Sequence, residues 1–361
     1  MAPAMTSKQR VLAAFRHQEP DRVPVDYSAN EEINVALRKH FSLNEGDWEG
    51  LLRALGVDFR YVDSPYVGPA LHDDVPGRRI DVWGIRRRWI EHDTGGYWDY
   101  CDWPLREATP EQVEAWPMPS PDDFDYSKVA EQCERHKDCC VVAGGAGWCD
   151  IVNKTGMLRT MEQVLVDLIT DDPAGLRLIN RKHAITLEVM RRILHAARGK
   201  IDVLMIGEDL GTQRGPTMSL ELFRRHIRPR MQEFVNLGRQ FGIPVMIHSC
   251  GSSSWAFEDF IEMGIGVVDT LQPEAKDMAP AYLKKRYGGR LSFHGMISTA
   301  GPLAYGSVAD VVESVRQTLS VMMPGGGYAL APTHSIQSNS PVENVVAMYQ
   351  AAIEYGKYRF E

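Results

Sequence analysis

The sequence predicts an α/β chain folded as a distorted (β/α)₈ TIM barrel, with an N-terminal helical extension and an inserted antiparallel hairpin. Three observations carry this expectation. Short apolar runs of strand length alternate with helical stretches about eight times. The positions just past those runs are unusually polar, as barrel strand ends are when they bear a site. Nothing resembling G-x-G-x-x-G opens the early helices, which disfavours an open doubly wound sheet.

Residues 6–17 read as a helix, with Thr6 or Ser7 as cap and Val11, Leu12 and Phe15 as apolar stripe. A turn at Glu19-Pro20-Asp21-Arg22 leads into a short strand, 23–27. Helices are expected at 30–41 and 48–55, and a second strand at 58–62. Residues 68–105 break the alternation. Within them 79–85, 86–91 and 95–100 read as antiparallel strands with a turn at Gly95-Gly96. This Trp-, Tyr- and Arg-rich segment is either a surface hairpin packing its own aromatics or a lid that brings Trp98 to substrate. Pro104, Pro117, Pro119 and Pro121 mark a connection. After it come a strand at 141–145 and helices at 148–157, 162–170 and 173–198. A strand at 203–206 follows, then a polar loop, and Ser219 caps one long helix through 242. Strands at 244–248, 267–271, 291–294 and 328–331 then alternate with helices at 254–263, 279–287, 308–322 and 342–354. Residues 1–361 are expected to form one domain with 68–105 inserted in it.

A net charge of -8 argues against a general nucleic-acid binder. The longest apolar runs are too short to span a bilayer, and M-A-P-A-M-T-S-K-Q-R has no signal-peptide core. The expectation is a cytoplasmic protein, monomer or homodimer, with no membrane or nucleic-acid partner. Six cysteines without a C-x-x-C pair do not make a disulfide scaffold, and Cys139 and Cys140 read as core residues.

The polar strand ends are where the chemistry collects. The run I-P-V-M-I-H-S-C-G puts His248 and Cys250 on one side of an extended segment, since strand side chains alternate. Imidazole and thiolate together suit zinc, which a catalytic site holds with three protein ligands and an open position. His334, in the loop after the last strand, is the expected third ligand, with His294 as its alternative. Glu274 is a candidate fourth ligand or an outer acceptor. Glu208, Asp209 and Asp26, at other strand ends, are the candidate catalytic carboxylates. Tyr27, Gln213, Gln272, His294 and Gln337 are expected to contact substrate.

These residues carry a resemblance. The opening T-S-K-Q-R-V-L-A-A-F-R-H-Q-E-P-D-R-V-P-V is similar to the N-terminal signature of the uroporphyrinogen decarboxylase superfamily. The later segments Gly207-Glu208-Asp209-Leu210-Gly211-Thr212-Gln213, His248-Ser249-Cys250-Gly251, Leu271-Gln272-Pro273-Glu274 and Ala331-Pro332-Thr333-His334 resemble its cobalamin-dependent methyltransferase branch. The resemblance implies a zinc-dependent methyltransferase that acts with a corrinoid protein on a small O-, N- or S-methylated compound. The family's decarboxylases carry an arginine-rich R-Q-A-G-R-Y after the first strand; this chain has Asp26-Tyr27-Ser28-Ala29-Asn30 there. Its thiol methyltransferases complete the zinc site with a later cysteine, and His334 stands near that position here. Fewer thiolates would make the zinc a stronger Lewis acid, suited to oxygen or nitrogen substrates. The alternative is a decarboxylase or lyase of a small carboxylic acid, with Asp26 and His334 moving the proton.

Overall fold

The computed structural model describes residues 5–92 and 95–358. Strand β1 (Phe59–Val62) is followed by β2 (Arg79–Ile80), β3 (Arg86–His92) and β4 (Gly95–Cys101). After these come β5 (Cys140–Gly144), β6 (Val203–Gly207), β7 (Val245–Ser249), β8 (Val267–Thr270), β9 (Ser292–Ile297) and β10 (Tyr328–Pro332). β1 and β5 through β10 make one seven-stranded parallel sheet in chain order. This is the expected distorted barrel, with helices crossing between successive strands.

The expected first strand, 23–27, is reduced to one parallel bridge between Val25 and Leu330 of β10. On its other side the Val25 carbonyl accepts from the Asp58 amide at 2.9 Å. The segment therefore fills the gap between β10 and β1 without making a full ladder. Pro24 accounts for its shortness, because a proline has no N–H to give a neighbouring strand.

Strand alternation sorts the residues into layers. Phe59, Val142, Met205, Met246, Val267 and Ala329 pack with Val11 in a cluster inside the barrel. Val11 belongs to the helix Ser7–Phe15, whose Thr6–Gln9 capping box is complete. That helix closes the lower end of the barrel, where the Ala14 carbonyl accepts from Gly327 N and Phe15 packs on Phe59. Two residues further along the same strands, the inward positions become Tyr61, His248 and Asp269. The floor is apolar and the mouth is polar.

The gap at Val25 is held by Asp58, which is fully buried. Its carboxylate accepts from Arg10 at 2.7 Å, from Arg22 at 2.7 and 3.0 Å, and from the Val25 amide at 2.9 Å. One residue thus ties the capping helix, the short bridging segment and β1.

The insertion forms its own three-stranded antiparallel sheet, β2-β3-β4. Register pairs Trp89 with Trp98, their rings lie 5.7 Å apart, and the Arg79 guanidinium sits over Trp98 at 5.5 Å. These aromatics pack mainly on one another. The tip, residues 93–94, lies outside the described residues, so the expected turn is described only from Gly95 onward.

Two helices depart from expectation. The helix expected at 148–157 begins later, as Val152–Arg159, because Cys149 has φ +62° and the Asp150 side chain caps the Asn153 amide at 3.1 Å. The long helix after Ser219 is Leu220–Leu222, a π-helical Phe223–Ile227, then Arg228–Gln240. Pro229 cannot donate to the turn before it, which loosens the helix there. The six cysteines are free; Cys140 is fully buried and Cys139 partly so. Among the described residues no helix is long and apolar enough to cross a membrane.

Asp58 yields a prediction. Asp58→Ala leaves Arg10 and Arg22 facing a buried void and should cost about 3–5 kcal/mol in urea denaturation. Arg53→Ala, whose side chain is 75% exposed in its ion pair with Glu49, should cost under about 1 kcal/mol. Equal midpoints for the two variants would refute the role given to Asp58.

Candidate active site and metal centre

The site is set by register. His248 of β7 pairs with Asp269 of β8, and Asp269 pairs with His294 of β9. Adjacent parallel strands therefore deliver imidazole, carboxylate and imidazole side by side. His248 Nδ1 lies 2.5 Å from Asp269 Oδ2, and His294 Nδ1 lies 2.6 Å from Asp269 Oδ1. Gly295, next to His294, has φ +122°, and a Cβ there would lie 1.9 Å from the Thr270 carbonyl oxygen. Only glycine lets the two strands approach so closely beside His294.

The chain of contacts runs on in both directions. His294 Nε2 lies 3.2 Å from Asp26 Oδ2, which also accepts from the Tyr61 hydroxyl at 2.7 Å. On the other side, His248 Nε2 lies 3.4 Å from Cys250 Sγ and 3.8 Å from Asp209 Oδ1. Asp209 is itself fixed: Oδ1 accepts from the Cys250 amide and Oδ2 from Asn153 Nδ2, both at 2.9 Å.

Burial opposes charge throughout this chain, and the pairings overcome it. Burial works against ionised Asp269, yet His294 and His248 hold its carboxyl well below the usual range. Burial likewise works against protonated His294, but Asp269 and Asp26 raise it to about 9. His248 is raised well above its ordinary value against burial, chiefly by Asp269. Burial pushes the Cys250 thiol up, with His248 pulling the other way.

One atom each from Asp209, His248 and Cys250 can be chosen so that all lie within 4.8 Å of one another. Carboxylate, imidazole and thiol are zinc donors, and Asp269 on His248 Nδ1 is the outer carboxylate that orients such a ligand through Nε2. The residues present therefore fit a zinc ion.

The expected residues fall into groups. His248 and Cys250 come together as predicted, and the carboxylate beside them is Asp209. His334 and Glu274 lie outside this cluster. His334 is exposed, 3.2 Å from the Ser335 carbonyl, though it lines the same mouth cavity as His248. Glu274 accepts from Ser298 at 2.9 Å. The separation follows from strand order, since β7 and β10 are not neighbours. Asp26, Tyr27 and His294 line the mouth cavity of about 310 Å³. Glu208 does not: it is 1% exposed, and its oxygens accept from the Ile151 and Val152 amides at 2.7 and 3.2 Å. Gln213 and Gln272 bond to each other, and Gln272 also holds the Gly251 amide. Gln337 bonds to the Ser335 carbonyl, and Trp98 lies outside the lining of this cavity.

Sequence reasoning missed Asp269, Tyr61 and Asn153. Asp269 had a signal: an aspartate inside an apolar strand, V-V-D-T-L, is costly unless paired. Tyr61 sits at an ordinary alternating position, and Asn153 lies inside a helix; neither stands out in the sequence.

The raised pKa of His294 fixes a sign. Its charged-ring contribution to stability is fully present below the ordinary value of 6.5 and is lost as pH rises through about 9. His294→Gln should therefore cost about 3 kcal/mol near pH 6, and the gap to wild type should narrow by pH 10. Urea midpoints of both proteins across that range measure it; a constant gap would count against a charged His294.

The comparisons with known proteins give the family and the fold. The family model for uroporphyrinogen decarboxylase (URO-D) matches residues 104–355. Two proteins from Methanosarcina barkeri, each a methylcobamide:CoM methyltransferase MtaA, are 28% and 27% identical to this chain over 154 residues. That stretch is 43% of this chain and 42% of each relative, so the match spans less than half the length of either. A methyltransferase from Methanosarcina mazei has the same fold, with a TM-score of 0.66 over 97% of this chain and 99% of its own, at 20% identity. The family match runs through every strand from β5 to β10, and the chain belongs to the uroporphyrinogen decarboxylase family.

Proposed function

We propose that this chain is a zinc-dependent methyltransferase that works with a corrinoid protein. It would move a methyl group from or to a small O-, N- or S-methylated compound. The observation that carries the reading is the convergence of Asp209, His248 and Cys250 at the barrel mouth. The likeness to methylcobamide:CoM methyltransferases over part of the chain supports it. Zinc held there would supply a Lewis acid that polarises a methyl donor's heteroatom or lowers the pKa of an accepting thiol or hydroxyl.

The chain's own residues do the rest. Asp269 keeps His248 Nε2 turned towards Cys250. The cavity has room for a small molecule, and among the described residues no lysine or arginine lines it. The two imidazoles of the lining are already paired with Asp269 and Asp26, so a polycarboxylate would find no uncommitted cation there, which disfavours a porphyrinogen substrate. Asp26, held between Tyr61 and His294, can take or return a proton at Oδ2. That same group supports the second reading, a decarboxylase or lyase of a small acid. His334 is proposed to touch substrate from the exposed side of the cavity.

Two experiments test these assignments. Elemental analysis after zinc-supplemented purification should find zinc in wild type, sharply less in Cys250→Ser and Asp209→Asn, and nearly undiminished zinc in His334→Ala. Loss of zinc in His334→Ala with retention in Asp209→Asn would restore His334 as ligand. A screen of thiols, alcohols and amines with methylcobalamin, followed by its absorbance change, should find an acceptor or donor used by wild type. In that assay Tyr61→Phe should lower turnover about tenfold or more while keeping zinc. Turnover of a small acid to carbon dioxide with no response to cobalamin would replace the methyltransferase reading with the decarboxylase.

A further inference from the structure

A second cavity, of about 390 Å³, lies beside the mouth. It is bounded by the end of β5, the helix Pro173–Ala196 and residues 82–85 of the insertion. It shares only Gly145 with the lining of the mouth cavity. Trp83, Ile85, Phe124, Trp148, Ile179 and Val189 give it an apolar wall. None of its residues has a part in the metal cluster, and the proposed reaction does not use it.

Its polar groups are unusual for such a wall. Lys182 is 7% exposed, and its ammonium sits 5.8 Å from the Trp83 ring centroid. Among the described residues its one hydrogen-bond acceptor is the Lys154 carbonyl. An ammonium has three donors, so two remain unspent inside an apolar cavity. Lys154 also lines the cavity, its amine 3.3 Å from where a Cβ on Gly147 would stand. His183 adds ring nitrogens that are buried without a hydrogen-bond partner among the described residues, although Glu233 lies 3.4 Å from Nε2. Asp150 is the opposing charge. With both lysines protonated, the lining carries one excess positive charge.

We propose that this cavity binds a small monocarboxylate on an aromatic or branched apolar body, with the carboxylate on Lys182 and the body against Trp83, Trp148 and Ile179. One negative charge balances the lining, whereas a dianion such as a phosphate ester would leave excess charge in an apolar space. Burial, only partly offset by Asp150, brings the Lys182 amine down to about 7. An arriving carboxylate favours the charged amine, so binding at pH 8 takes up a proton.

Benzoate is the probe, with benzamide as its neutral counterpart and phenyl phosphate as the dianion. Isothermal titration at pH 8, in two buffers of different ionisation enthalpy, should show benzoate binding with proton uptake. Benzamide and phenyl phosphate should bind about tenfold or more weakly. Lys182→Met should abolish the preference for benzoate. Thr186→Leu, which narrows the cavity without touching charge, should weaken benzoate and benzamide alike. Cys250→Ser should leave binding unchanged, so that failure here is separable from failure of the zinc reading. Equal affinity for benzoate and benzamide in wild type would overturn the proposal without need of any variant. So would tighter binding of phenyl phosphate, or undiminished benzoate affinity in Lys182→Met.

Discussion

A single buried carboxylate, Asp269, sets the geometry of the barrel mouth. It lies on β8, between a histidine on β7 and a histidine on β9, and its oxygens are divided between them at 2.5 and 2.6 Å. The parallel register brings these residues together, so their positions are set by the backbone ladder. Removing the carboxylate would free both imidazoles at once. Each imidazole in turn controls a different part of the mouth, His248 the Cys250–Asp209 side and His294 the Asp26–Tyr61 side. The Cys250–Asp209 side and the Asp26–Tyr61 side of the mouth are thereby mechanically one unit.

Much of this was legible in the sequence. Apolar runs of strand length gave most of the parallel strands to within a residue, with β9 running three residues past its expected end, because strands buried on both faces have few other readings. The alternation of side chains placed His248 and Cys250 together, and that pair is close in space. Other features were hidden for physical reasons. The weak first strand is a matter of tertiary closure, settled by Pro24 and by the Asp58 carboxylate far along the chain. The partner of His248 and Cys250 depends on strand order. Strand ends converge on one face, and the carboxylate that reaches the His248–Cys250 pair is Asp209, which follows β6, the strand paired with β7. His334 follows β10 and comes no nearer than the shared cavity.

Glu208 and Asp209 show how adjacent carboxylates divide their work. The sequence offers them as an equivalent pair at one strand end. In the fold they differ in burial and in partners, although both reach residues 151–153. Glu208 turns into the protein and holds the Ile151 and Val152 amides at the start of the helix Val152–Arg159. Asp209 turns to the mouth and is steadied by Asn153 of that same helix. The buried carboxylate thus fixes the helix that in turn steadies the half-buried one. Asp150, just before this helix, also lines the second cavity, so one short segment both borders that cavity and steadies Asp209.

The identity of the third donor changes the chemistry expected of the metal. A site of two histidines and one thiolate would leave a zinc ion with excess positive charge and favour oxygen or nitrogen substrates. With Asp209 in place of His334, carboxylate and thiolate together would balance the charge of a zinc ion held there. Such an ion would polarise a bound heteroatom less strongly, and would hold a substrate thiolate less by net charge than by ligand preference. The neighbouring chain of groups sharpens the point. Asp269 would make His248 a more electron-rich ligand of such an ion. On the proposed reading, thiols would therefore return to the range of acceptors, alongside alcohols and amines. The absence of lysine and arginine from the lining acts in the same direction, because it selects against substrates that bring several negative charges of their own.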